Sequence, residues 1–235
     1  MTDEEATTGT TGTTGTSGTP GTSGTPGTPG TPGLRERKKQ RMYQAVSEAA
    51  IALFLEKGFE KVPVAEVAAA ADISKPTLFR YFPTKEDLVL HRFADHQDEA
   101  ARIVTARPDK RTPLDALQRH FLDGLERQDP VTGLCDHPAV LAFHRLLYGT
   151  PSLVARLYEY QDRSEQTLAD ALGGDAPLTA RLAAGQIIAV QRILAMENWR
   201  RIDAGESADE VWPDAVAAAN RAFGQLRSGL SGEHG

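Results

Sequence analysis

The sequence predicts an all-α fold, on three observations. Apolar residues recur at helical spacing along most of the chain after Gly33, and no stretch alternates apolar and polar residues between turn dipeptides. Helix-starting and helix-stopping residues also fall where the periodic runs begin and end.

The first helix is expected from about Leu34 to Lys57, where Val46, Ala50, Leu53 and Phe54 line one face. Gly58 follows Lys57 as a stop, a cation in the last turn and then a residue that accepts the left-handed conformation. A short second helix runs from Val64 to Ala71 behind Pro63. Asp72 and Ile73 form a corner, Ser74 is placed as an N-cap, and Pro76 is tolerated in the first turn of a helix over Lys75–Tyr81. Pro83 ends that helix. Thr84 caps the next, with Glu86 and Asp87 suited to its positive end. A long helix is then expected to about Thr105, and another from Pro113 to Arg127. After a loop with Pro130, Gly133 and Pro138, helical stretches cover Ala139–Tyr148, Ser152–Leu172, Leu178–Ala204 and Ala208–Leu226.

From Gly9 to Gly33 glycine stands at every third position. A triple helix needs that period. Here, however, the run holds only eight triplets, with Thr always after Gly and Pro in half of them. Residues 1–33 therefore read as a flexible low-complexity tail, ahead of a module over 34–84 and a second over 85–228.

The 235 residues are 40% hydrophobic and 25% charged, an ordinary globular composition. One cysteine, Cys135, excludes an internal disulfide framework and fits a reducing compartment. The acidic start MTDEEATT is no secretion signal, and no apolar run approaches the roughly 20 residues of a membrane span, so a cytoplasmic protein without a membrane partner is expected. The net charge of −6 is unevenly spread. Residues 34–85 carry ten Lys and Arg against six Asp and Glu, inside an otherwise acidic chain. For a polyanion partner this local excess matters more than the total.

Three short helices with a tight corner before the third describe a helix-turn-helix, whose third helix fits the major groove of double-stranded DNA. Lys75, Thr77 and Arg80 are the groups to bond bases or phosphates, and Pro76 and Thr77 offer contact to a thymine methyl. Tyr81 supplies a hydroxyl for a phosphate, and Lys85 sits at a helix N-terminus. Leu78 and Phe82, four apart, share a face and are expected to pack inward. Upstream, RERKKQR places Arg35, Arg37, Lys38 and Arg41 among five cations, either an arm that tracks phosphates or a solvated helix start.

The segment AVSEAAIALFLEKGFEKVPVAEVAAAADISKPTLFRYFPTKEDLVL resembles the DNA-binding domain of the TetR (tetracycline repressor) family, most specifically in SKPTLFRYFPTK. The resemblance covers about residues 35–90. It implies that Lys75, Pro76, Thr77, Phe79, Arg80 and Tyr81 face the groove or its phosphates and that Lys85 binds a phosphate. Two positions depart from the family pattern: Asp72 stands where glycine is common, and Pro63 where a threonine cap is common.

The resemblance further implies a homodimer on a palindromic operator, with an unknown small-molecule effector bound in the C-terminal part. The last two long helices would pair across the dimer axis. Leu182, Gly185, Ala189, Ile193 and Met196 mark one stripe there, and Val211, Ala215, Ala219, Ala222 and Phe223 another, although packing within one chain would look the same. Phe121, Phe143, His144, Tyr148, Tyr158, Gln161, Met196 and Trp199 are the candidates for a ligand pocket, each also readable as a core residue. No enzyme is expected, because P-loop, HExxH and GxSxG patterns are absent. Neither a cofactor nor a metal is expected: His91 and His96 are badly spaced for one helix face, and Cys135 and His137 lack further ligands. The function expected is a ligand-responsive repressor. A constitutive architectural DNA binder, or a small-molecule binder that has lost DNA binding, stands as the alternative.

Overall fold

The computed structural model describes residues 34–94, 96–173 and 177–229. The tail expected over 1–33 and the side chain of Arg35 lie outside the described residues. Among these, all regular structure is helical: α1 (Leu34–Lys57), α2 (Val64–Ala70), α3 (Lys75–Tyr81), α4 (Asp87–Ala94), α5 (Glu99–Ala106), α6 (Pro113–Glu126), a 3-10 turn at Pro130–Thr132, α7 (Pro138–Gly149), α8 (Pro151–Leu172), α9 (Pro177–Asp203) and α10 (Ala208–Ser228). No helix among the described residues is long and apolar enough to cross a membrane.

Two apolar cores organise these helices. The first gathers Val46, Ala50 and Phe54 of α1 with Val67 of α2, Leu78 of α3, Phe82, and Leu88, Val89 and Leu90 of α4. It continues without interruption into Leu147 of α7 and Leu153, Leu157 and Tyr160 of α8. The second core is built from α5, α6, α8, α9 and α10, around Leu117, Phe121, Leu125, Leu168, Ile187, Val211 and Phe223. The N-terminal helices thus rest on α7 and α8 through apolar burial, worth roughly 25 cal/mol per Å² removed from water.

The long helix expected from Asp87 to Thr105 is divided into α4 and α5. The break falls where the packing partner changes, since α4 belongs to the first core and Val104 of α5 to the second. Its residues His96 and Asp98 are weak helix formers. A turn bridges the gap, with the His96 amide donating to the Phe93 carbonyl (3.1 Å) and the Glu99 amide to the His96 carbonyl (3.2 Å). Glu99 accepts from His96 Nδ1 at 3.0 Å and lies 3.4 Å from His120 Nε2, so one carboxylate fastens the junction to α6. Bonds from His120 and His96 hold the Glu99 carboxyl far below the usual carboxylate range.

The second apolar stripe proposed for subunit pairing turns out to be internal. Val211, Ala215, Ala219 and Phe223 are buried in the second core, and Arg227 and Asn220 bond α10 to Asp115 and Gln118 of α6. The stripe on α9 behaves differently: Leu178, Leu182 and Ile193 are each more than half exposed, as is Tyr158 on the adjoining α8. Among the described residues the exposed large apolar side chains of these helices are thus Tyr158 on α8, Leu178, Leu182 and Ile193 on α9, and Trp212 on α10.

Candidate nucleic-acid interface and the cavity behind it

The corner between α2 and α3 is built as its residues dictate. Asp72 takes φ 52°, the left-handed region that an aspartate tolerates better than most residues. The Asp72 and Ile73 amides donate to the Ala69 and Ala68 carbonyls, closing the end of α2. Ser74 caps α3, its Oγ accepting from the Thr77 amide at 3.2 Å and lying 2.8 Å from the Thr77 hydroxyl. Pro63 precedes α2 in an extended conformation and supplies no side-chain cap.

On α3 the two faces separate as expected. Leu78 and the following Phe82 are fully buried, while Lys75, Pro76 and Arg80 are exposed and Thr77 and Tyr81 half-buried. Phe79 is 39% exposed, with the Lys75 ammonium 5.9 Å from its ring centre. An apolar ring left at the surface beside cations fits a partner with both methyl groups and phosphates. The Arg80 guanidinium donates to the Tyr81 hydroxyl (3.2 Å) and lies over its ring at 4.8 Å. These contacts pre-order both side chains and lower the entropy they would lose on binding. Arg37, Lys38 and Arg41 are exposed on the first turns of α1.

Lys85 departs from expectation. Its ammonium does not reach outward; it donates to the Phe59 carbonyl at 2.5 Å and sits over the rings of Phe59 (4.4 Å) and Phe54 (5.4 Å). A carbonyl and two aromatic faces together make a favourable site for a half-buried cation. Tyr43, which the sequence did not single out, joins the reading helix to α4. Its ring meets Tyr81 edge-on at 5.3 Å and stacks on His91 at 4.4 Å. The available signal was its position, three residues before Val46 on the same helical face.

The start of α4 is clamped. Thr84 Oγ1 accepts from the Asp87 amide (3.2 Å), and the Asp87 carboxylate accepts from the Thr84 amide (3.1 Å), a reciprocal cap. The same carboxylate, 5% exposed, takes two bonds from the Arg156 guanidinium (3.0 and 3.2 Å) and one from the Tyr160 hydroxyl (3.1 Å). Both partners lie on α8. Burial pushes the Asp87 carboxyl up, but the bonds from Arg156 and Thr84 outweigh it and leave the group below its ordinary value.

At its other end α4 borders a cavity of about 310 Å³. Arg92, Phe93 and His96 form one wall, Phe143 and His144 of α7 another, and Val131 of the 3-10 turn stands at its open edge. Two of the expected pocket residues, Phe143 and His144, therefore line it. Tyr148 and Trp199 stand behind them, Trp199 edge-on to His144 at 6.1 Å and 4.7 Å from Tyr148. Burial keeps His144 neutral by lowering its pKa, and raises that of Tyr148. Phe121 is a core residue instead, 6.2 Å from Phe223 in the second core. Tyr158 is exposed on the outer side of α8 beneath Arg192, and Gln161 and Met196 are half-buried outside the lining. Arg92, Phe93 and His96 were not among the expected pocket residues because the sequence read as one continuous helix through them.

Comparison with known proteins bears on this geometry directly. The family model described as "Bacterial regulatory proteins, tetR family" matches residues 47–91, from the middle of α1 into α4. The chain is 29% identical over 178 residues to the HTH-type transcriptional regulator TcmR of Streptomyces glaucescens, across 72% of this chain and 78% of that protein. It is 26% identical to the HTH-type transcriptional repressor KstR of Rhodococcus jostii, across 75% and 80% respectively. Among solved structures, native NalD of Pseudomonas aeruginosa, a secondary repressor of a multidrug efflux pump, superposes with a TM-score of 0.52 at 17% identity, over 78% of this chain and 97% of that one. The last of these bears on the fold alone. The stretch from the middle of α1 through the capped α3 into α4 is thus similar to bacterial regulatory proteins of the tetR family, and the longer matches are to HTH-type transcriptional regulators.

Proposed function

We propose that the protein is a ligand-responsive repressor that binds a palindromic operator as a homodimer. The observation that carries this reading is α4, which is clamped at its first turn beside the reading helix and forms a cavity wall at its last. A molecule entering that cavity touches the same rigid element that positions α3. It shifts the balance between DNA-competent and incompetent states only by its difference in affinity for the two. Residues 34–84 form the reading module, with α3 in the major groove and the exposed cations of α1 along the phosphates. The exposed apolar side chains of α8 and α9 pair with their copies, and two-fold symmetry sets the operator's palindrome. The reading supposes a cytoplasmic protein and no catalytic role. The relative named a repressor supports the sign of regulation.

Selection from random duplexes tests the DNA reading, the expected result being one enriched palindrome. Titrating the resulting complex with small molecules then tests responsiveness; an operator complex that no compound dissociates would favour a constitutive architectural binder. Arg80→Ala or Thr77→Ala should change which sequences are preferred, each base contact being worth about 1–3 kcal/mol, or roughly 5- to 150-fold. Tyr81→Ala should weaken binding to all duplexes alike, measured by fluorescence anisotropy. Leu182→Asp with Ile193→Asp should yield a monomer in sedimentation and lose high affinity for the full palindrome but not for a half-site.

A further inference from the structure

We propose that the cavity beside α4 takes an aromatic carboxylic acid, its carboxylate on the Arg92 guanidinium and its ring system laid against Phe93 and Phe143. The inference deepens the ligand-responsive reading above and rests on it for the site's purpose. Four polar side chains line the cavity, and two of them are already bonded within the chain. Asp129 caps the 3-10 turn, its Oδ1 accepting from the Val131 amide at 3.0 Å. His96 is held by Glu99. His144 is kept neutral by burial. Arg92 is exposed, lies 5.9 Å over the Phe143 ring, and has no carboxylate partner among the described residues. A planar guanidinium is the side chain best shaped for a carboxylate, which it binds by two parallel bonds.

His144 is 7% exposed and lines the cavity with its ring, while its unpartnered Nδ1 is closed off from the surface. The rest of the wall is apolar, with the rings of Phe93 and Phe143 stacked on each other at 6.2 Å and 22° from parallel. A flat ring system laid along the pair contacts both, which a purely aliphatic acid of the same length does less well.

The test uses the full-length protein, calorimetric titration and three isosteric probes: 2-naphthoate, 2-naphthamide and 2-naphthylmethylamine. Expected is binding of the naphthoate at least tenfold tighter than the amide, with no binding of the amine. Arg92→Met, in protein whose unfolding midpoint matches the parent, should abolish the preference for acid over amide. Val140→Trp, which fills the cavity without touching Arg92, should abolish binding of all probes. Equal affinity for acid and amide, tighter binding of the amine, a preference that survives Arg92→Met, or no binding of any probe would each overturn the proposal. Operator release is scored separately. A neutral or cationic compound that binds and frees DNA removes the acid and leaves the ligand-responsive reading standing; naphthoate that binds without affecting DNA does the reverse.

Discussion

Replacing Asp87 with alanine is expected to cost the folded protein about 3–5 kcal/mol, the range for removing one partner of a buried ion pair. The carboxylate accepts from Arg156, Tyr160 and Thr84 at once, and alanine leaves a largely buried guanidinium without the counter-charge that it bonds twice. Arg156 keeps its pairing with Glu159, which tempers the loss. Asp87→Asn, which retains an acceptor but no charge, should lose less. Both are measured by urea unfolding of the full chain. The pH dependence follows in sign. The folded carboxyl titrates below its unfolded value of about 4, so its contribution is complete above that pH and lost as pH falls through the folded value. At the alkaline end, burial and the neighbouring Asp87 push the Tyr160 hydroxyl up to about 12, so its contribution is complete below about 10 and fades as pH rises towards 12. In the asparagine variant the acid limb should flatten. Because the cluster ties the first turn of α4 to α8, operator affinity should fall along with stability.

Gly133→Ala is expected to be comparably damaging, by about 3 kcal/mol or more. Gly133 adopts φ 72°, which costs an alanine roughly 1 kcal/mol. A Cβ there would stand 1.9 Å from the Ala195 carbonyl oxygen of α9, a distance no packing tolerates. The turn or α9 must move, and the buried bond from Asn198 Nδ2 to the Thr132 carbonyl (2.9 Å) is the first to break, leaving an unpaired amide worth another 1–3 kcal/mol. Gly58→Ala isolates the backbone effect, since Gly58 has φ 89° but nothing within 4 Å of the added carbon. Its loss should be near 1 kcal/mol. Thermal unfolding of the two variants side by side checks the difference, and similar midpoints would refute the close approach to α9. Movement of the turn would also displace Val131 from the edge of the cavity.

What the sequence made legible was local. Ser74, Asp72, Thr84 and Gly58 announce caps and corners through their own side chains or lack of one, and each does what its chemistry demands. Leu78 and Phe82 against Lys75 and Arg80 display their division on one short helix. Contacts distant in sequence were another matter. An apolar stripe does not reveal whether its cover is the same chain, so α10 looked like a subunit interface until α6 was seen against it. The break before α5 was hidden because apolar periodicity continues on both sides of it. Phe121, Phe143 and Tyr158 are alike as residue types, yet one fills a core, one walls a cavity and one faces outward.

The inward ammonium of Lys85 bears on how the protein responds to ionic strength. Each cation that neutralises a DNA phosphate displaces condensed counterions, and steepens the fall of log affinity with log salt by about 0.9. A lysine whose ammonium is held by the Phe59 carbonyl and the rings around it displaces none. Lys85→Met should therefore leave the salt slope unchanged even where it weakens binding by disturbing the loop at Phe59. On the proposed reading the exposed cations of α1 and α3, Arg37, Lys38, Arg41, Lys75 and Arg80, set that slope instead, and the lysine just before α4 adds nothing to it.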